Sequence, residues 1–108
     1  MNIDIEKSSI CSNSSGQQFK LEIYIKDHGD SEKYPEGVKA IFRLTKLNMD
    51  EVGKGVSELM ILIDNHAPFG FHSHDKLPED HDFRTPLHMS DWKEAWGIFQ
   101  EKCREVLR

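Results

Sequence analysis

Five of the six histidines in this 108-residue chain fall between positions 66 and 88. They are His66, His72, His74, His81 and His88, and Asp64, Asp75, Glu79, Asp80 and Asp82 lie among them. Imidazole titrates close to neutral pH and also ligates metals through either ring nitrogen, so two chemistries compete. The first is a divalent metal site. Imidazole nitrogen together with carboxylate oxygen suits zinc, manganese or iron. His72-x-His74 on a strand would aim two rings at the same side, with His66, Asp64 or His81 as a third ligand. His72, His74 and His66 are the candidate ligand set. The second is acid–base catalysis without metal, as in a ribonuclease. One histidine takes the 2′-hydroxyl proton, another protonates the leaving oxygen, and a cation steadies the phosphate. His72 and His74 are the candidates for proton transfer, with Asp64 and His66 beside them. Arg84, or Arg43, is the candidate for holding the phosphate, and Ser73 is a lesser candidate nucleophile. Taken one at a time, these residues also have plain structural explanations. Asp64-Asn65 suits a turn after a strand, His66 can cap that turn, and His81 and His88 sit in a polar loop. The density of the cluster is what sets it apart.

The elements that must position the cluster follow from periodicity. Phe19, Leu21, Ile23 and Ile25 alternate with Lys20, Glu22, Tyr24 and Lys26, which predicts a half-buried strand. Val38, Ala40, Phe42 and Leu44 define a second strand over 38–47. A third, over 56–64, contains Leu59 to Ile63, apolar at every position, and so calls for cover on both faces. That makes a homodimer a candidate assembly. Residues 69–74 predict a short fourth strand, turned by residues 65–68. Whether His72 and His74 then join Asp64 depends on register, since a slip of one residue exchanges the faces. Residues 75–88 read as a long exposed loop. A C-terminal helix starts at Ser90 or Asp91, where Asp91 and Glu94 match a capping box. Its stripe of Trp92, Trp96, Phe99, Cys103 and Val106 faces the sheet. The expected fold is α+β: an antiparallel meander of three to four strands with one amphipathic helix packed on it. Residues 1–18 are expected to form a flexible arm or an edge strand, and 19–108 a single domain.

Composition narrows the function classes. The net charge is −5, which argues against broad, non-specific nucleic-acid binding. A small basic cluster, Lys39, Arg43, Lys46 and Lys54, stands in the middle of the chain, whereas acidic residues concentrate in 27–36 and 75–82. No apolar run approaches the roughly 20 residues that span a bilayer, and the first ten residues lack a signal-peptide layout. The expectation is a cytoplasmic protein without a membrane partner. Cys11 and Cys103 do not form a Cys-x-x-Cys pair, and a reducing cytoplasm disfavours a disulfide between them. Cys103 is expected in the core.

The order of apolar strand, Asp64-Asn65-His66, Pro68, Gly70, His72-x-His74, charged loop and terminal helix resembles the TumE-type toxins of bacterial and archaeal toxin–antitoxin pairs. The resemblance covers residues 56–107 and is strongest from Asp64 to His74. Members carry a longer insertion rich in proline and histidine between the Asp-Asn and the later histidines; here that spacing is tight. The resemblance implies a small single-domain toxin, an antitoxin protein as partner, and Asp64, His66, His72 and His74 as the defining positions. Combined with the histidine chemistry, it gives the expectation of a toxin-like ribonuclease acting on RNA. The alternative is a non-catalytic accessory protein that binds a partner or a metal.

Overall fold

The computed structural model describes residues 4–27, 34, 37–49, 55–66, 70–77, 79–88 and 91–108. Among these residues six strands form one antiparallel sheet in sequence order: β1 (Asp4–Ser12), β2 (Gln18–Asp27), β3 (Val38–Met49), β4 (Gly55–Asp64), β5 (His72–Ser73) and β6 (Thr85–Pro86). One helix, α1 (Trp92–Val106), packs across β3 and β4. The fold is therefore the expected α+β meander, with six strands in place of three to four.

The two extra strands have weak sequence signals for physical reasons. β1 turns only Ile5 and Cys11 toward the core, so its serine-rich sequence shows no apolar alternation. It is held instead by its ladder with β2, from Asp4↔Lys26 to Ser12↔Gln18. β1 lies at one edge of the sheet, and the residues after it form a built turn. The Asn13 side chain accepts from the Ser15 and Gln17 N–H groups at 3.1 and 2.9 Å, and Gly16 takes φ +86°. β6 is two residues long and includes Pro86, which has no N–H to donate and is tolerated because the strand is an edge.

Alternation works as the sequence predicts. Phe19, Ile25, Ala40, Phe42, Leu44, Ile61 and Ile63 lie on one face and are buried under the helix. Phe42 meets Trp96 and Phe99 with ring centroids 5.5 and 5.6 Å apart. Asp91 caps the helix by accepting from the Lys93 N–H at 2.8 Å. Ser90, the other candidate cap, lies outside the described residues, as do Pro68 and Phe69 and the loop centres 28–33 and 50–54.

The apolar run in β4 has a more specific explanation than cover on both faces. Leu44 pairs with Ile61 but Thr45 pairs with Leu59, so Met60 is the extra residue of a β-bulge. A bulge lets two successive residues oppose one partner and re-aims those beyond it. Ile61 and Ile63 therefore face the helix, Met60 packs at the edge of the core, and Leu59 and Leu62 lie half-buried on the opposite side.

Candidate metal centre

The register resolves the question that the sequence leaves open. Ile41 pairs with Asp64, Asp64 with His72, and Ile63 with Ser73. Paired residues share a face, so Asp64 and His72 project from the side opposite the helix, while Ser73 turns toward it. His74 continues the alternation, its N–H bonded to the Leu62 carbonyl at 3.0 Å.

On that outer face the Nε2 atom of His72 lies 2.5 Å from Asp64 Oδ1, and the Nε2 atom of His74 lies 4.0 Å from the same oxygen. The two rings are 5.0 Å apart, tilted by 58°. One ligand atom from each of Asp64, His72 and His74 falls within 4.8 Å of the others. His72 and His74 are only 2% and 8% exposed, whereas the Asp64 side chain is 18% exposed and forms the open side of the group.

Backbone carbonyls orient both rings. Nδ1 of His72 is 2.7 Å from the Gly70 carbonyl, and Nδ1 of His74 is 2.8 Å from the His81 carbonyl. A carbonyl only accepts, so each Nδ1 carries a proton and Nε2 is the atom of each ring turned toward Asp64. Holding one imidazole nitrogen on an outer-sphere acceptor while the other turns inward is the usual support of a metal-ligating histidine. His74 Nε2 is buried without a hydrogen-bond partner among the described residues, and Asp64 Oδ1 is met only by His72 Nε2. Gly70 can offer its carbonyl because it adopts φ +64°, a conformation that side chains disfavour.

The charges respond to this crowding. Burial pushes the Asp64 carboxyl up, but the His72 hydrogen bond, the charges of His72 and His74 and the His66 N–H together hold it below the usual carboxylate value. Burial pushes His72 down, yet the Asp64 hydrogen bond, the Gly70 carbonyl and the Asp64 charge raise it above the ordinary imidazole value, with Arg84 opposing. A proton on His72 is thereby favoured in the space between His72 and Asp64. A divalent cation would replace it, and His74 Nε2, which gains nothing from that proton, would become a third ligand.

Two neighbours tie the centre to the scaffold. Asn65, 1% exposed, extends the β3–β4 ladder with its side chain, accepting from the Ala40 N–H at 2.9 Å and donating to the Val38 carbonyl at 2.6 Å. Asp75 accepts from the Ser73 hydroxyl at 2.9 Å and pairs with Lys102 of α1 at 3.2 Å. Burial pushes its carboxyl up, but hydrogen bonds from Thr85, Ser73 and Lys102 bring it below the ordinary value.

The other sequence candidates stand apart from this group. His66 is exposed, and its Nδ1 lies 3.5 Å from the Tyr34 hydroxyl. It offers Asp64 its backbone N–H and not its ring, so Asp64, not His66, completes the set of His72 and His74. His81 supplies a carbonyl, and its ring is exposed, as is that of His88. Arg84 is exposed, donates to the Asp82 carbonyl at 2.9 Å, and lies near enough to His72 to oppose its protonation. Ser73 is buried with its hydroxyl given to Asp75, which leaves it poorly placed as a nucleophile. Sequence reasoning missed Asn65, whose residue type signals a turn as readily as a ladder extension, and the Gly70 and His81 carbonyls, for which side-chain identity carries no signal.

No family model, curated protein or solved structure matches this chain. The resemblance to the TumE-type toxins rests on the residues from Asp64 to His74. No helix among the described residues is long and apolar enough to cross a membrane.

Proposed function

We propose that this protein binds one divalent transition-metal ion through Asp64 Oδ1, His72 Nε2 and His74 Nε2. The observation that supports it is the pair of buried Nε2 atoms turned toward one carboxylate oxygen, with both Nδ1 atoms already committed to carbonyls. Two imidazoles and one carboxylate match zinc, manganese or iron and leave further coordination positions for water or substrate. The same facts count against a metal-free histidine pair, because both Nε2 atoms are turned toward Asp64. Combined with the resemblance to the TumE-type toxins, the proposal extends to a toxin-like ribonuclease of a toxin–antitoxin pair. Its centre would be supported by metal, with an antitoxin as partner and Arg84 as the nearby cation. When bound, the metal would supply Lewis acidity and a water of lowered pKa. The depth of His72 and His74 favours a second proposal, a metal-binding accessory protein in which the ion is structural.

Metal content of the purified protein, titration with zinc and manganese, and RNA degradation with and without chelator test these proposals together. One equivalent of metal is expected in the wild type and none in His72→Ala/His74→Ala. Chelator-sensitive RNA cleavage supports the ribonuclease, and metal uptake without cleavage supports the accessory protein. A wild-type protein that takes up neither ion nor any other divalent metal would sink both.

A further inference from the structure

The face that carries Asp64 continues across the sheet as a charged surface with cations on β2 and β3. β2 and β3 project Lys20, Lys26, Lys39 and Arg43 from it, against Glu22 as their acidic residue there. Only Arg43 of these four cations makes an ion pair among the described residues, a partly exposed contact with Glu22 at 3.3 Å. A pair of that kind contributes little and is readily exchanged. β1 adds Asp4 and Glu6 opposite Lys26 and Tyr24, so the face as a whole is balanced, and its positive charge is local to Lys39 and Arg43 on β3; local charge governs what a surface attracts.

The same face is indented. A cleft of about 390 Å³ runs over Glu6, Glu22, Tyr24, Lys39, Ile41 and Arg43. A smaller one of about 100 Å³ is lined by Lys39, Ala40, Ile41, Asp64, Asn65 and His66. Lys39 and Ile41 line both, so the larger cleft opens toward the Asp64 carboxylate. Register places Glu6, Tyr24, Ile41, Asp64 and His72 in one row across five strands. With neighbouring strands about 4.8 Å apart, Tyr24 stands roughly 10 Å from Asp64. A half-buried tyrosine beside an isoleucine gives a flat apolar seat, flanked by ammonium and guanidinium groups.

We propose that this face is a track for a single-stranded polynucleotide that leads to the Asp64–His72–His74 centre. Phosphates pair with Lys39 and Arg43, and one unstacked base lies on Tyr24. Stacking on an aromatic side chain combined with cations along the backbone is how strand-binding surfaces work without reading sequence. A duplex hides its base faces and cannot use the tyrosine. The track gives the proposed ribonuclease its substrate class. Its direction rests on the metal-centre proposal, but binding to the track does not require the metal.

Fluorescence anisotropy with a short labelled RNA, DNA of the same sequence and duplex RNA tests the track, with metal content measured on every sample. Lys39→Ala/Arg43→Ala should weaken single-strand binding at least tenfold and flatten the log–log salt slope by about 1.4, from two phosphate contacts at roughly 0.7 each. Tyr24→Leu should weaken it about tenfold while leaving the salt slope unchanged. Lys93→Ala, on the helix, should change neither. Tighter binding of RNA than DNA indicates that the 2′-hydroxyl is read; equal binding indicates recognition by phosphate and base face alone. The track is overturned if the wild type binds neither single strand, if duplex binds as tightly, or if Lys93→Ala matches the double variant. Strand binding by a metal-free wild type keeps the track and removes the metal centre; metal uptake without strand binding does the reverse.

Discussion

The two faces of this sheet are built from the same strands and closed by opposite means. Under the helix, Phe42, Leu44, Ile63 and Phe99 are fully buried and interlock through dispersion and the removal of apolar surface from water. On the other side, Asp64, His72 and His74 are also withdrawn from water, but by hydrogen bonds to carbonyls and by a shared carboxylate. Among the described residues, no buried side-chain polar atom on the first face lacks a partner. The other leaves a buried nitrogen, His74 Nε2, without a partner among the described residues, and an unpaired buried polar atom costs about 1–3 kcal/mol. A fold that spends stability on one face and gains it on the other is arranged as binding sites commonly are.

Substitutions can break that contrast. Phe42→Ala removes the ring that contacts Trp96 and Phe99 and should destabilise the protein by about 4 kcal/mol, read by urea denaturation. His74→Leu should be far milder. It deletes an orphaned nitrogen but also strands the His81 carbonyl, so the two effects offset and stability without metal should change by no more than about 1 kcal/mol. Metal at one hundred times its dissociation constant should raise the wild-type stability by about 2.7 kcal/mol and leave the variant unmoved. Thermal melts with and without zinc separate the two effects, and equal stabilisation of both proteins would exclude His74 as a ligand.

Asn65→Ala sharpens the comparison at the strand end, where a side chain does the work of backbone. It strands the Ala40 N–H and the Val38 carbonyl, and should cost about 2 kcal/mol in the same denaturation series. The helix-covered face has a pH signature of its own. Burial, and then the nearby Cys11 thiol, push Cys103 up to about 11. An unfolded thiol ionises at lower pH than this one, so the unfolded state releases the proton first. Stability should be constant in this term up to pH 9 and fall by up to about 2 kcal/mol between pH 9 and 11. Cys103→Val should flatten that alkaline limb of the melting profile.

How much of this was legible in the sequence depended on which force closed each part. Phe19 to Ile25, Val38 to Leu44 and the Trp92–Val106 stripe carry their period openly because apolar burial selects residue types. The run from Leu59 to Ile63 misled in one respect. It read as a strand covered on both faces, when a bulge at Met60 shares its side chains between the core and a half-open surface. β1 was only faintly visible because a ladder of backbone bonds, not side-chain burial, holds it. At the site, the sequence narrowed the chemistry to the histidine cluster but left register undetermined, and with it the choice between Asp64 and His66. Register here is set by the pairing Asp64↔His72 and by carbonyls at Gly70 and His81, which are the same in every residue type.

The strand order has a kinetic consequence. Every strand pairs only with the one before and after it along the chain, so the sheet can grow by successive hairpins without closing a long loop. The long ladders β1–β2–β3–β4 can form first. The two-residue strands β5 and β6, which carry or flank both histidines, add last and have the fewest bonds to hold them. Amide hydrogens at His72 and His74 should then exchange by local opening well before those of Phe42 or Ile63. A ligand that bridges Asp64 to β5 would fasten the youngest part of the sheet to the oldest, slowing its opening more than its formation.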